Sequence, residues 1–332
     1  MPVQAQIPIT IREEAEVGTA RRRAQMVAGN AGLSEQDAGK AAIIASESAT
    51  NVIKHGRGGE VLLRELPNGV EVIAIDKGPG MADVSRCLSD GFSTVGTTGT
   101  GLGAIRRLST MFDIYSQSKG GTAMVSRLTT HPANGESNGL GLGVICRPKH
   151  GETLCGDSWF VRKVGQDSWI LVVDGLGHGP DANEAALEAV RIFRDLSEFR
   201  STMDCIEALH LALRKTRGAA VAVVHLDHEA KQVRCSGVGN ISVALVNGST
   251  SRSLVSHNGI LGHELRRVQE FSYPWTSGVK LIMSSDGLAT WSIDKYPGLL
   301  SRHPSTIAAV LYRDFWRQRD DVTVLVAQEV AA

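Results

Sequence analysis

Nine consecutive residues set the frame for this chain. His131-Pro132-Ala133-Asn134-Gly135-Glu136-Ser137-Asn138-Gly139 combines chain breakers with small polar side chains and leaves nothing to bury. It is the one stretch of this kind long enough to link two separate cores. A length of 332 residues suits two domains better than one. The expected division is therefore 1–130, a linker at 131–139 and 140–332.

The first half reads as a strand at Gln4 to Thr10, then a helical pattern from Arg12 to Ala31. A second helix starts at Ser34, a residue able to cap it, and stops near Gly56-Arg57-Gly58-Gly59. Glu60 to Leu66 and Val70 to Asp76 form a hairpin through Pro67-Asn68-Gly69. A glycine-rich segment from Gly78 to Gly103, a helix from Ala104 and two more strands complete this half. The second half is rich in strand patterns, among them Trp169 to Asp174 and Lys280 to Ser284. Helical patterns at Ala182 to Ser197, Met203 to Arg214 and Ser305 to Trp316 interrupt them. Grouped strands and grouped helices predict an α+β layered sandwich rather than alternating βαβ units.

Composition narrows the function. Thirty-five basic residues balance thirty-five acidic ones, so no general electrostatic attraction to nucleic acid or an anionic membrane is expected. No apolar run is long enough to span a bilayer, and the amino terminus has no signal-peptide pattern. A cytoplasmic location is expected. The five cysteines are scattered without a C-x-x-C pair and read as reduced, buried side chains.

Four pieces of the first half make chemical sense together. Glu47 and Asn51 lie four apart on one helix face. The amide oxygen can ligate Mg²⁺, and the carboxylate can orient or deprotonate an attacking hydroxyl. Asp76 ends a strand before Gly78 and Gly80; it can accept a hydrogen bond from an adenine amino group, while the glycines allow close backbone approach. Gly99, Gly101 and Gly103 precede a helix whose free amides can hold phosphate. Gly120-Gly121-Thr122 opens the closing strand. Each piece alone is also a solvated helix face or an ordinary turn.

In order and spacing the four resemble the motifs of the GHKL ATPase and kinase superfamily. Within it, Ala45 to Asn51 and Asp90-Gly91-Phe92-Ser93-Thr94 look like the anti-sigma serine kinases and stressosome switch kinases. The resemblance implies a Bergerat-type α/β sandwich that binds ATP with Mg²⁺ through Asn51, Asp76, Gly78, Gly80, Gly99, Gly101, Gly103 and Thr122. Glu47 is implied as the catalytic base, and the acceptor as Ser or Thr of a STAS-domain partner of the anti-anti-sigma or stressosome type.

The second half carries aspartates at strand ends: Asp157, Asp174, Asp286 and the pair Asp320-Asp321. Any one of them is a reasonable helix cap or Asx turn. Gathered at one sheet edge they would repel unless cations neutralised them, and an all-oxygen set predicts Mg²⁺ or Mn²⁺ rather than zinc. The set resembles the SpoIIE-like members of the PPM serine/threonine phosphatases. That resemblance implies two Mn²⁺ or Mg²⁺ ions held by Asp157, Asp174, the Gly175 carbonyl, Asp286 and Asp320, with Asp174 bridging and central to catalysis. Arg147 is a candidate phosphate ligand only by its position near the domain start. His178 is either a proton donor or a turn residue.

Together the halves predict a bifunctional regulator that phosphorylates one protein serine or threonine and dephosphorylates another. The alternative is a phosphatase whose first domain senses nucleotide or binds a sigma factor without transferring phosphate.

Overall fold

The computed structural model describes residues 5–88, 101–130 and 139–330. The kinase-like motif from Asp90 to Thr94, Gly99 and most of the linker lie outside them. Two compact units emerge, one from 6–130 with 301–314 and one from 139–300 with 315–330 and Ala5.

The N-terminal unit starts with β1 (Ile7–Ile11), α1 (Glu14–Asn30) and α2 (Glu35–Gly56). The hairpin β2 (Gly59–Leu66) and β3 (Gly69–Asp76) follows, then a single helical turn α3 (Val84–Cys87). Helix α4 (Gly101–Leu108) and strands β4 (Met111–Ser116) and β5 (Thr122–Thr129) close the region. The strands form an antiparallel sheet in the order β1-β2-β3-β5-β4. Helix α2 begins where the sequence predicts: Ser34 Oγ accepts the Asp37 N–H at 3.1 Å. It ends with Arg57 in the left-handed region at φ 59°, a common way to close a helix. Val70, Val72 and Ala74 alternate along β3 and pack into one core with Ala41, Ala45 and Ala49 of α2. The intervening residues therefore face the other way.

That second face is met by a helix from late in the sequence. Helix α7 (Pro304–Phe315) is buried from Pro304 to Arg313. Residues 301–314 of this segment cluster with the N-terminal unit, although the expected second domain ran unbroken from 140. Glu71, on the second face of β3, is fully buried with Arg64 Nη2 at 2.6 Å and Arg127 Nε at 2.7 Å. The Ser305 hydroxyl of α7 completes the cage at 2.9 Å. Tyr312 of α7 donates its phenolic proton to Glu60 at 2.8 Å.

The C-terminal unit is a sandwich of two five-stranded sheets. Its strands are β6 (Leu140–Arg147), β7 (Asp157–Val164), β8 (Asp167–Gly175), β9 (Ala219–Asp227) and β10 (Gln232–Val238). They continue with β11 (Ser242–Asn247), β12 (Thr250–Ser253), β13 (Phe271–Pro274), β14 (Lys280–Ser284) and β15 (Val322–Glu329). The sheet orders are β13-β10-β9-β8-β7 and β12-β11-β14-β15-β6. Strand β8 shows how the layers arise from period-two alternation. Ile170 and Val172 join Val144, Leu281 and Leu325 between the sheets. Trp169, Leu171 and Val173 instead meet Ala189 and Phe193 of α5 (Pro180–Asp195) and Leu209 of α6 (Thr202–Ala212). Burial on both faces explains why this strand reads as an unbroken apolar run.

Candidate active sites

In the N-terminal unit, three of the sequence-predicted groups meet where α4 abuts α2. A β-carbon added to Gly101 would lie 2.9 Å from Glu47 Oε2 and 3.6 Å from Asn51 Oδ1. A side chain there would push the Glu47 carboxylate aside. The Asn51 amide nitrogen is buried and has no hydrogen-bond partner. A buried amide left unpaired is costly, so this atom fits a pocket that takes a polar ligand. Gly101 and Gly103 sit in the first turn of α4, where free amides suit phosphate.

Asp76 ends β3 beside Thr122, its direct cross-strand partner on β5. Its Oδ1 accepts the Gly78 N–H at 2.8 Å. Burial raises its carboxyl above the usual range, opposed by that amide, by Arg313 and by Thr122. The glycines around it make the close approach possible. A β-carbon on Gly78 would come within 2.7 Å of the Gly56 Cα, and one on Gly80, at φ 66°, within 1.9 Å of the Gln117 carbonyl. Glu47, Asn51 and Gly101 thus meet at one place and Asp76 and Thr122 at another; with Gly78, Gly80 and Gly103 these are the residues that would hold ATP with Mg²⁺. When bound, that ion would supply charge neutralisation at the phosphates.

In the C-terminal unit, the aspartates gather at one end of the sandwich because of strand register. Asp157 opens β7 directly opposite Asp174 near the end of β8. Asp174 continues the Ile170 and Val172 face, which points between the sheets. In the other sheet, Ser284 at the end of β14 pairs with Val324 near the start of β15. That register brings Asp286 to Asp320 and Asp321. Gly287 allows it, since a β-carbon there would fall 1.8 Å from the Asp321 carbonyl oxygen.

The electrostatics record this convergence. Burial pushes the Asp174 carboxyl up to about 9, with repulsion from Asp157, Asp286, Asp320 and Asp321 adding to it. Burial likewise raises Asp157 to about 8, opposed by the Ser285 hydroxyl and reinforced by Asp321 and Asp286. Asp286 is raised by burial and by Asp320, against Arg317 and Asn240. Asp157 Oδ2 accepts from Ser285 Oγ at 2.6 Å, while its Oδ1 is buried without a partner. An unpaired carboxylate oxygen within a cluster of like charge is a donor set suited to hard divalent cations. Asp157, Asp174, the Gly175 carbonyl, Asp286 and Asp320 would hold them; when bound, they would supply water activation and phosphoryl charge neutralisation. Asp321 is engaged otherwise: its two oxygens accept the Lys149 N–H at 2.7 Å and the Gly156 N–H at 2.8 Å.

One supporting residue was not legible in the sequence: Asn240 donates to Asp286 Oδ2 at 2.7 Å. Arg147 is buried, with its guanidinium 4.3 Å from the centroid of the Trp316 ring. His178 bridges two loops, with Nδ1 3.1 Å from Glu152 Oε1 and Nε2 3.2 Å from Lys149 Nζ. A second set that could hold a cation is Asp167, His225 and Asp227. It lies at the far end of β8, roughly 23 Å along the strand from Asp174. Within it His225 Nε2 lies 2.9 Å from Asp167, and Asp227 takes Arg234 at 3.2 Å and the Ala230 N–H at 2.8 Å, while His225 Nδ1 is buried without a hydrogen-bond partner. This cluster is separate from the acidic site.

No helix among the described residues is long and apolar enough to cross a membrane. Comparison with known proteins accounts for both halves. Residues 11–128 match the histidine kinase-like ATPase domain, and residues 165–329 match the stage II sporulation protein E family. The serine/threonine-protein kinase RsbT of Bacillus subtilis (strain 168) is 30% identical over 118 residues, covering 34% of this chain and 89% of that protein. The phosphoserine phosphatase RsbX of the same organism is 29% identical over 144 residues, covering 42% of this chain and 70% of RsbX. A solved structure from work on the bacterial stressosome, as a modular system adapted to control secondary messenger signalling, superposes with a TM-score of 0.52 at 28% identity, covering 57% of this chain and 99% of the other. This chain belongs to the RsbT-like histidine kinase-type ATPases through its N-terminal domain and to the SpoIIE-type PPM phosphatases through its C-terminal one.

Proposed function

We propose that the chain is a bifunctional phosphosignalling enzyme. Its N-terminal unit binds ATP with Mg²⁺ and transfers the γ-phosphoryl group to a serine or threonine of a STAS-domain partner. Its C-terminal unit hydrolyses phosphoserine or phosphothreonine with two Mg²⁺ or Mn²⁺ ions. The observation that carries the reading is double convergence. Glu47, Asn51 and Gly101 meet in one unit, and Asp157, Asp174, Asp286 and Asp320 repel one another at short range in the other. Neither cluster has a use in an apolar scaffold, since both leave buried polar atoms unpaired.

In the kinase half, Glu47 is beside the phosphate end, where it can take the proton of the attacking hydroxyl. Asp76 and Thr122 select the adenine end, and the α4 amides hold the phosphates. In the phosphatase half, the aspartates position the reaction centre and Ser285 and Asn240 orient two of them. Both activities acting on one residue would only hydrolyse ATP. The two sites therefore serve different partners or operate under opposite control.

The test is γ-labelled ATP with a STAS-domain protein, followed by release of label in a chase with unlabelled ATP. Asn51→Ala should abolish labelling and spare release, and Asp174→Ala should do the reverse. Loss of the same single activity in both variants would refute the division of labour. ATP binding without any labelling would mark the first unit as a sensor.

A further inference from the structure

Around the acidic site, one cation is fixed in place yet has no anion beside it. Lys149 lies in the loop between β6 and β7, and its backbone N–H to Asp321 Oδ1 ties its α-carbon to the cluster. Its Nζ is 3.2 Å from His178 Nε2. An ammonium only donates, so Nε2 is the acceptor and the ring proton sits on Nδ1. That proton is donated to Glu152 Oε1 at 3.1 Å. The two neighbours thereby set which ring nitrogen donates and which accepts. Among the described residues no carboxylate lies within ion-pairing distance of Lys149.

The relay joins the two loops that carry the first two predicted ligands. Lys149 and Glu152 precede Asp157, and His178 follows Asp174 and Gly175. A phosphomonoester dianion arriving here meets an excess of carboxylate charge. Asp157, Asp174, Asp286, Asp320 and Asp321 together outnumber the charge that two divalent ions bring, so a cation of the protein's own is needed. The other basic side chains are less suited. Arg147 is stacked on Trp316, Arg217 is paired with Asp181 at 3.2 Å, and the charge of Arg317 acts on Asp286.

We propose that Lys149 is the phosphoryl-binding cation of the phosphatase site, and that His178 and Glu152 are the positioning residues that hold its ammonium ready. The assignment rests on the phosphatase reading above. On substrate entry, one or more ammonium protons hydrogen-bond to phosphoryl oxygens, and the imidazole keeps the lysine stem from swinging into solvent. The group recognised is the dianionic monoester itself, whichever protein carries it.

The experiment uses the full chain with Mg²⁺, p-nitrophenyl phosphate as substrate and inorganic phosphate as competitive inhibitor and calorimetric ligand. Lys149→Ala should raise both KM and the phosphate inhibition constant about ten- to a hundredfold, the range for a lost charged hydrogen bond. Turnover should change far less, and Lys149→Arg should restore most of the affinity. His178→Ala should raise KM by a smaller factor, and Mg²⁺ binding by calorimetry should match wild type in all three, which also establishes folding. Phosphate affinity within twofold of wild type in Lys149→Ala, with hydrolysis intact, would overturn the assignment and leave the phosphatase reading standing. The assignment also falls if Arg317→Ala weakens phosphate and Lys149→Ala does not. A wild-type chain inactive with both Mg²⁺ and Mn²⁺ would sink the phosphatase reading and this assignment with it.

Discussion

Replacing Glu71 by Gln should destabilise the N-terminal unit by about 3 to 5 kcal/mol, the usual result of removing one partner from a buried ion pair. The carboxylate is fully buried between Arg64 and Arg127, with Ser305 of α7 as a third partner. Burial alone would raise its pKa, yet the two guanidiniums outweigh that and lower it from 4.5 to about 2. At about 1.4 kcal/mol per pH unit, this gap corresponds to about 3 kcal/mol of stability, in line with the first figure. Because the folded value is depressed, the contribution is complete above pH 4.5 and fades as pH falls toward 2. Glutamine cannot titrate, so the variant should lose that part of the acid dependence. In differential scanning calorimetry at pH 7, the transition of this unit should fall by about 10 °C. Between pH 4.5 and 2 the wild-type and variant curves should converge. A variant within 2 °C of wild type at pH 7, or two parallel pH curves, would show that the cage adds no net stability.

Gly101→Ala places a methyl group 2.9 Å from Glu47 Oε2; ATP affinity by calorimetry should fall at least tenfold while circular dichroism stays unchanged, and normal affinity would separate α4 from the nucleotide. Asp174→Asn removes an ionisable carboxyl from a cluster of like charges. The variant should be at least as stable as wild type without metal and show no Mg²⁺ heat, whereas wild-type Mg²⁺ uptake would move the ion site elsewhere. Gly80→Ala faces both a left-handed φ of 66° and a 1.9 Å approach to the Gln117 carbonyl, and thermal unfolding should report a loss of at least about 1 to 3 kcal/mol.

What could be read from the sequence divides by the range of the physics. Signals local in the chain were legible: the Ser34 cap, the Pro67-Asn68-Gly69 turn, and the apolar run ending at Asp174 each rest on neighbours a few residues apart. The candidate aspartates were visible because each ends a strand, a property of local pattern. Their actual meeting needed sheet order, since β7 and β8 lie in one sheet and β14 and β15 in the other. The same limit hid Lys149, an unremarkable loop residue until two loops meet, and left His178 without a partner that the sequence could name. Helix α7 shows the limit most clearly. Its amphipathic period was readable, but no local feature says which sheet it covers, because Ser305 finds Glu71 across 234 positions of chain. Phe315, just past the clustered segment, accepts the Ala289 N–H at 2.8 Å, and the Arg317 N–H bonds to the Gly287 carbonyl at 2.9 Å. The chain leaving α7 is thus stitched to the residues directly after Asp286, and it reaches Asp320 three positions beyond Arg317. The backbone just after Asp286 and that leading to Asp320 are therefore held together by main-chain bonds within the C-terminal unit, a pairing that no local pattern announces.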